Sequence, residues 1–139
     1  MQRPERLGLC FFRASSSQKF QLIRERRMTT TKTKQIRALN DRLRQHLSGN
    51  DGTAIITVGV AALGDEAVAR IFRTIVVYDD FCHENDPYEE HDFGAFEADG
   101  HTIFFKIDYF DPTLTCHSSD PADPNVTHRV ITIMLAEEY

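Results

Sequence analysis

The sequence predicts an α+β domain: a mainly antiparallel sheet of about four strands with two helices packed on one face. Three observations lead there. An apolar stripe of helical period runs up to a cluster of breakers near residue 50. An Asp-Gly pair sits between two runs rich in alternating apolar residues. A last apolar run, Arg129–Leu135, follows a long polar stretch. The element order that results is α-β-α-β-β-β, which gathers the helices on one side of the sheet.

Taken in order, Ile36, Leu39, Leu43 and Leu47 form one stripe of a 3.6-residue period. Thr31 or Thr33 is the expected cap, and Ser48-Gly49-Asn50-Asp51-Gly52 the stop. The β-branched run Thr53–Val60 reads as a mostly buried strand. Asp65 is the expected N-cap of a second helix over about 66–78, with Val68, Ile71, Phe72 and Ile75 facing inward. An acidic loop, Asp79–Asp92, follows, with turn chemistry at Asn85-Asp86-Pro87.

Phe93–Ala98 and His101–Phe110 flank Asp99-Gly100, the preferred centre of a two-residue type I′ hairpin turn. That turn sets Phe93 opposite Lys106 and puts Phe96, Ala98, Ile103, Phe105, Ile107 and Tyr109 on one core-facing side. Phe93, Ala95 and Phe104 fall on the other side with Glu97, Lys106 and Asp108, a surface expected to be partly wetted. Asp111–Val126 is too polar for core and reads as a long loop.

At 139 residues the chain fits one domain. No apolar run approaches the roughly 20 residues needed to cross a bilayer, so no membrane association is expected. Cys10, Cys82 and Cys116 are odd in number and lack framework spacing, which reads as free thiols and a cytoplasmic setting. The net charge of −5 conceals a gradient. Residues 1–27 carry seven Lys/Arg against Glu5 and Glu25; residues 28–47 carry five against Asp41; residues 48–139 carry four against eighteen carboxylates. So acidic a body repels a phosphate backbone and argues against direct nucleic-acid binding. Residues 1–27, rich in Arg and Ser, are read as a misplaced start or disordered extension, with the domain spanning 28–139. The codons for Arg24-Glu25-Arg26-Arg27 can form a purine-rich stretch like a bacterial ribosome-binding site just before Met28. A basic partner-binding tail and a targeting peptide are the alternatives.

The stretches Asn85-Asp86-Pro87-Tyr88-Glu89-Glu90-His91-Asp92-Phe93-Gly94-Ala95-Phe96, Lys106-Ile107-Asp108-Tyr109-Phe110-Asp111-Pro112, Asp120-Pro121-Ala122-Asp123-Pro124 and Thr132–Tyr139 carry a resemblance. Together they resemble a family of short proteobacterial proteins classed as a domain of unknown function, whose genes often lie on plasmids and mobile regions. The resemblance covers about residues 36–139. It implies a place in the accessory gene content of bacteria, and it supplies no catalytic residues.

The residues themselves offer one constellation. His91, Asp92 and Asp108 are candidate catalytic groups, and Glu90, His91, Asp92, Asp108 and Asp111 candidate ligands for a divalent metal. The hairpin register, continued outward, sets His91 opposite Asp108. It also starts the core-facing row at Asp92, where desolvation would raise the carboxyl pKa. The competing reading is structural: a His91–Asp108 cross-strand pair, with Asp86 and Asp111 serving turns, and it outweighs the first. Cys82-His83 and Cys116-His117 lack zinc-site spacing and read as unpaired loop residues. The basic helix reads as a solvated face complementing the acidic body. No Gly-x-Gly-x-x-Gly, P-loop, Gly-x-Ser-x-Gly or His-Glu-x-x-His motif occurs. The expected function is therefore a non-enzymatic interaction module of a mobile element, with a basic protein partner and no resident cofactor. The alternative is a small metal-dependent hydrolase or nuclease centred on His91, Asp92 and Asp108.

Overall fold

The computed structural model describes residues 30–139 apart from residue 48. The expectations for residues 1–27, the start at Met28 included, fall outside these residues. Helix α1 (Thr31–His46) begins at Thr30, whose hydroxyl accepts from the Thr33 N–H at 3.0 Å, and ends with Leu47 in the left-handed region. Strand β1 (Thr53–Ile56) is half the length the sequence suggested. Thr57 caps a single helical turn instead, α2 (Val58–Ala61), its hydroxyl accepting from the Val60 N–H. Helix α3 (Asp65–Val76) has Gly64 as its N-cap, so Asp65 is its first residue rather than its cap and acts, with Glu66, on the helix dipole.

Strands β2 (Phe93–Ala98), β3 (His101–Phe110) and β4 (His128–Leu135) form an antiparallel meander. Asp99 and Gly100 have φ of 52° and 80°, the paired positive values a type I′ turn requires. The register follows: Phe93 opposes Lys106 and Ala98 opposes His101. Gly94 is needed where it stands, because a Cβ there would lie 2.3 Å from the Phe105 ring and 2.7 Å from Tyr78.

The sheet order is β1-β4-β3-β2, and β1 runs parallel to β4. The sheet is therefore mixed, with one parallel pair where a mainly antiparallel sheet was expected, and three helices accompany it, not two. The reason lies in the connections. The helical crossover α2–α3 carries the chain from one sheet edge to the other, so β1 and β2 point the same way. Two hairpin reversals then bring β4 back parallel to β1.

One face of the sheet holds the main core, where Leu43 of α1, Val60 of α2, and Ile71 and Ile75 of α3 pack on Ile103, Phe105, Ile131 and Ile133, all fully buried. The other face was expected to be partly wetted, yet Phe93, Phe104 and Met134 are buried there. A 3-10 turn (Ala136–Glu138) folds back so that Ala136 and Tyr139 cover them, with the Tyr139 ring 5.8 Å from Phe104. Glu138 fixes this return: its carboxylate accepts from Thr57 Oγ at 2.5 Å, the Gly59 N–H at 2.9 Å and the Leu135 N–H at 2.8 Å. Among the described residues no helix is long and apolar enough to cross a membrane.

Candidate functional site

The acidic loop before β2 is ordered by its own side chains. Asn85 and Asp86 are almost fully buried. Asn85 Oδ1 accepts from the Cys82 N–H at 3.1 Å, and Asp86 Oδ1 accepts from the N–H groups of Glu90 and His91 at 3.0 and 3.1 Å. These bonds hold Glu89 and His91 at φ of 57° and 58°. Left-handed backbone at such residues costs on the order of 1 kcal/mol each and persists only where the surroundings impose it.

Helix α1 supplies those surroundings. Its buried face is Ile36, Asn40, Leu43 and Arg44, so two polar residues replace part of the expected leucine stripe. Asn40 Nδ2 donates to the Glu90 carbonyl at 3.0 Å and the Tyr109 hydroxyl at 2.8 Å, while its Oδ1 accepts from Arg129 Nε at 2.7 Å. The Tyr109 hydroxyl in turn donates to Glu90 Oε1 at 2.8 Å, and the Arg129 guanidinium lies over the Tyr109 ring and donates to the Pro121 carbonyl. Asp41 Oδ1 lies 2.8 Å from His91 Nδ1 and 3.1 Å from Arg44. The His91 ring stacks on Phe81, 3.9 Å between centroids and 3° from parallel. Arg44 donates to the carbonyls of Ile75 and Tyr78 at 3.1 and 2.8 Å, capping the C-terminal end of α3. Arg44 Nε is a buried donor without a partner in this network.

Burial pushes the Tyr109 hydroxyl pKa far up, reinforced by the carboxylates of Asp92 and Glu90. Burial also raises Asp86, against the attraction of His91 and the two N–H bonds. At Asp41 burial works in the same direction but loses to the hydrogen bonds and charges of His91 and Arg44, so its pKa falls. Burial lowers the Arg129 pKa.

The candidate residues are thus divided. His91 does not pair with Asp108 as the extended register suggested: its left-handed backbone turns it away from the hairpin, and its ring meets Asp41 and, at 3.8 Å, Asp86. Asp108 Oδ2 instead pairs with Lys106 Nζ at 3.0 Å. Glu90 is held by Tyr109. The ladder continues one step beyond β2 through Asp92, whose carbonyl accepts from the Ile107 N–H at 2.8 Å. Asp111 bonds Thr113 and Thr115 in its own turn, and the Thr113 hydroxyl leads the interactions that lower its pKa, against a small opposing effect of burial. Among the described residues no three His, Cys, Asp or Glu side chains are grouped so as to hold a metal ion. Asp92 and Asp108 do share a cleft of about 310 Å³ with Tyr88, Phe93, Lys106 and Tyr139.

Of the cysteines, Cys116 is an exposed free thiol. His117 stacks on Phe110. The basic helix does complement the acidic body: Lys32, Arg37 and Arg42 pair with Asp120, Glu89 and Asp51 at 3.2, 3.9 and 3.8 Å. Arg44 departs from that picture, being buried rather than solvated.

Sequence reasoning missed Asn40, Asp41, Arg44, Tyr109 and Arg129. The one available signal was Asn40-Asp41 itself, a polar pair interrupting a basic helix, with Asn40 spaced four residues from Ile36 and three from Leu43.

Fold and network together define a small α+β domain whose polar core braces a strained acidic loop. The chain belongs to the family described as a protein of unknown function (DUF3768), whose family model matches residues 56–138. The loop, Tyr109 and Arg129 lie inside the matched residues, and helix α1 precedes them. No curated protein and no solved structure matches the chain.

Proposed function

We propose that this protein is a non-enzymatic interaction module whose acidic surface engages a basic protein partner, in the accessory gene content of a bacterial mobile element. The observation that carries the reading is where the cations go. Residues 30–139 hold nine Lys/Arg against nineteen carboxylates. Arg44 and Arg129 are buried, and Lys32, Arg37, Arg42, Arg70 and Lys106 are ion-paired to the protein's own carboxylates. Asp65, Glu66, Asp79, Glu97 and Glu137 remain on the solvent-exposed surface. Such a surface steers a basic partner and repels nucleic acid. No resident cofactor belongs to this proposal. A cytoplasmic setting does, and a free-thiol count on the protein as expressed tests it.

A second reading, the metal-dependent hydrolase or nuclease, keeps one observation in its favour, the shared cleft of Asp92 and Asp108. Against it, the His91 ring is engaged with Asp41 and stacked on Phe81.

The test is capture of partners from the native host at low and high salt, comparing the wild type with Asp65→Lys/Glu66→Lys. A basic protein that the wild type retains, and that both high salt and the charge reversal release, is the expected result. Capture indifferent to salt and charge, or hydrolytic activity dependent on added metal, would overturn it.

A further inference from the structure

We propose that the cleft between the acidic loop and the chain's C-terminal residue is a receptor for an arginine or lysine side chain of the basic partner; this rests on the interaction-module reading and locates its anchor. Four observations converge on it. The first is the wall. Tyr88 is 75% exposed beside the cleft, a large aromatic side chain that buries little within this chain, and it lies between the Asp86 anchor and the left-handed Glu89 and His91. Asp86, Asn40 and Asp41 all act on this segment. Strained backbone held from several sides is what a preorganised binding segment looks like.

The second is aromatic content. Tyr88, Phe93 and Tyr139 line the cleft together; Phe93 is buried, and the exposed Tyr88 ring offers the kind of face that attracts ammonium and guanidinium groups. The third is charge. Asp92 and Asp108 line the same space. Lys106 already pairs with Asp108 there, at 3.0 Å to Oδ2, with both side chains about one-third exposed (38% and 33%). A carboxylate accepts at both oxygens, so a second cation can join the pair from the solvent side. The fourth is size. At about 310 Å³ the cleft lies at the lower end of ligand pockets, which suits one long side chain better than a cofactor. The acidic surroundings favour a cationic occupant over an anionic one recruited by Lys106.

The probe is a capped tripeptide with a central arginine, titrated into the full chain and followed by heteronuclear NMR. Its citrulline counterpart has the same shape without the charge, and its glutamate counterpart reverses it. The arginine peptide alone should move the amide resonances of Tyr88, Phe93, Lys106, Asp108 and Tyr139. Tyr88→Ala and Asp108→Asn should each weaken it by about fivefold, with otherwise unchanged spectra, since both side chains are surface-accessible. Equal binding of the citrulline peptide, preference for the glutamate peptide, shifts confined to other residues, or no shift at millimolar peptide would each overturn the proposal. The two readings fail separately. If Tyr88→Ala/Asp108→Asn still captures a basic partner in a salt-dependent way, the module stands and this cleft is not its anchor. If no such partner is captured while the arginine peptide binds the cleft, the receptor stands and the module reading falls.

Discussion

Asp86 and Asp41 brace the same loop with opposite pKa shifts, so they answer to pH and to substitution in opposite ways. Asp41 is held below its ordinary value of 3.8. Its stabilisation is therefore complete above that value and lost as pH falls through the lowered one. The stability difference between wild type and Asp41→Asn should accordingly shrink as an acid titration passes below about pH 4. Asp86 is raised, so its ionised form costs stability at neutral pH, and that cost disappears as pH falls through its folded value. Asp86→Asn keeps one oxygen to accept both N–H groups and removes a buried charge; urea denaturation at pH 7 should find it within about 1 kcal/mol of wild type. Asp86→Ala orphans two N–H groups and should cost about 2–3 kcal/mol. If both substitutions prove equally harmless, the loop is not held as described. For His91 and Asp41, a double-mutant cycle with His91→Gln and Asp41→Asn should show coupling of at least about 0.5 kcal/mol, while His91 and Asp108 should show none.

At the scale of elements, the hairpin was the most legible part of the chain, because its signal is local. Asp99-Gly100 dictates the turn, the turn dictates the register, and the register assigns every side chain on β2 and β3 to a face. Gly100→Val should therefore be strongly destabilising, since a β-branched residue resists its φ of 80°. Phe105→Ala should cost about 3–5 kcal/mol, and Phe104→Ala a comparable amount, because both rings are fully buried on opposite faces. The second value separates the structure from the sequence reading, which left Phe104 half-wetted. What covers Phe104 is Tyr139, brought over by Glu138 reaching Thr57, a contact between residues 81 apart that no local pattern announces. The parallel pairing of β1 was hidden for a related reason: four residues carry no mark of their neighbour.

Over the whole molecule, charge was readable and its use was not. The gradient along the chain foretold that the basic helix would lie against the acidic body, as Lys32, Arg37 and Arg42 do. It could not show that Arg44 and Arg129 would be buried as braces, because apart from the Asp41 carboxylate beside Arg44 their partners are backbone carbonyls and one asparagine, groups that a charge count does not see. The candidate cluster suffered the same way. Glu90, His91 and Asp92 are adjacent in sequence, yet the positive φ of His91 sends neighbouring side chains to different partners. The hydrogen bonds around His91 make its polar neighbours a brace for the loop, and we propose that they ligate no ion. Thermal unfolding of the full chain in excess Mg²⁺, Mn²⁺ or Zn²⁺, against a chelator control, tests this most directly, since a specifically bound metal raises Tm with the logarithm of its concentration. The brace requires an unchanged Tm; a rise that Asp92→Asn abolishes would contradict it.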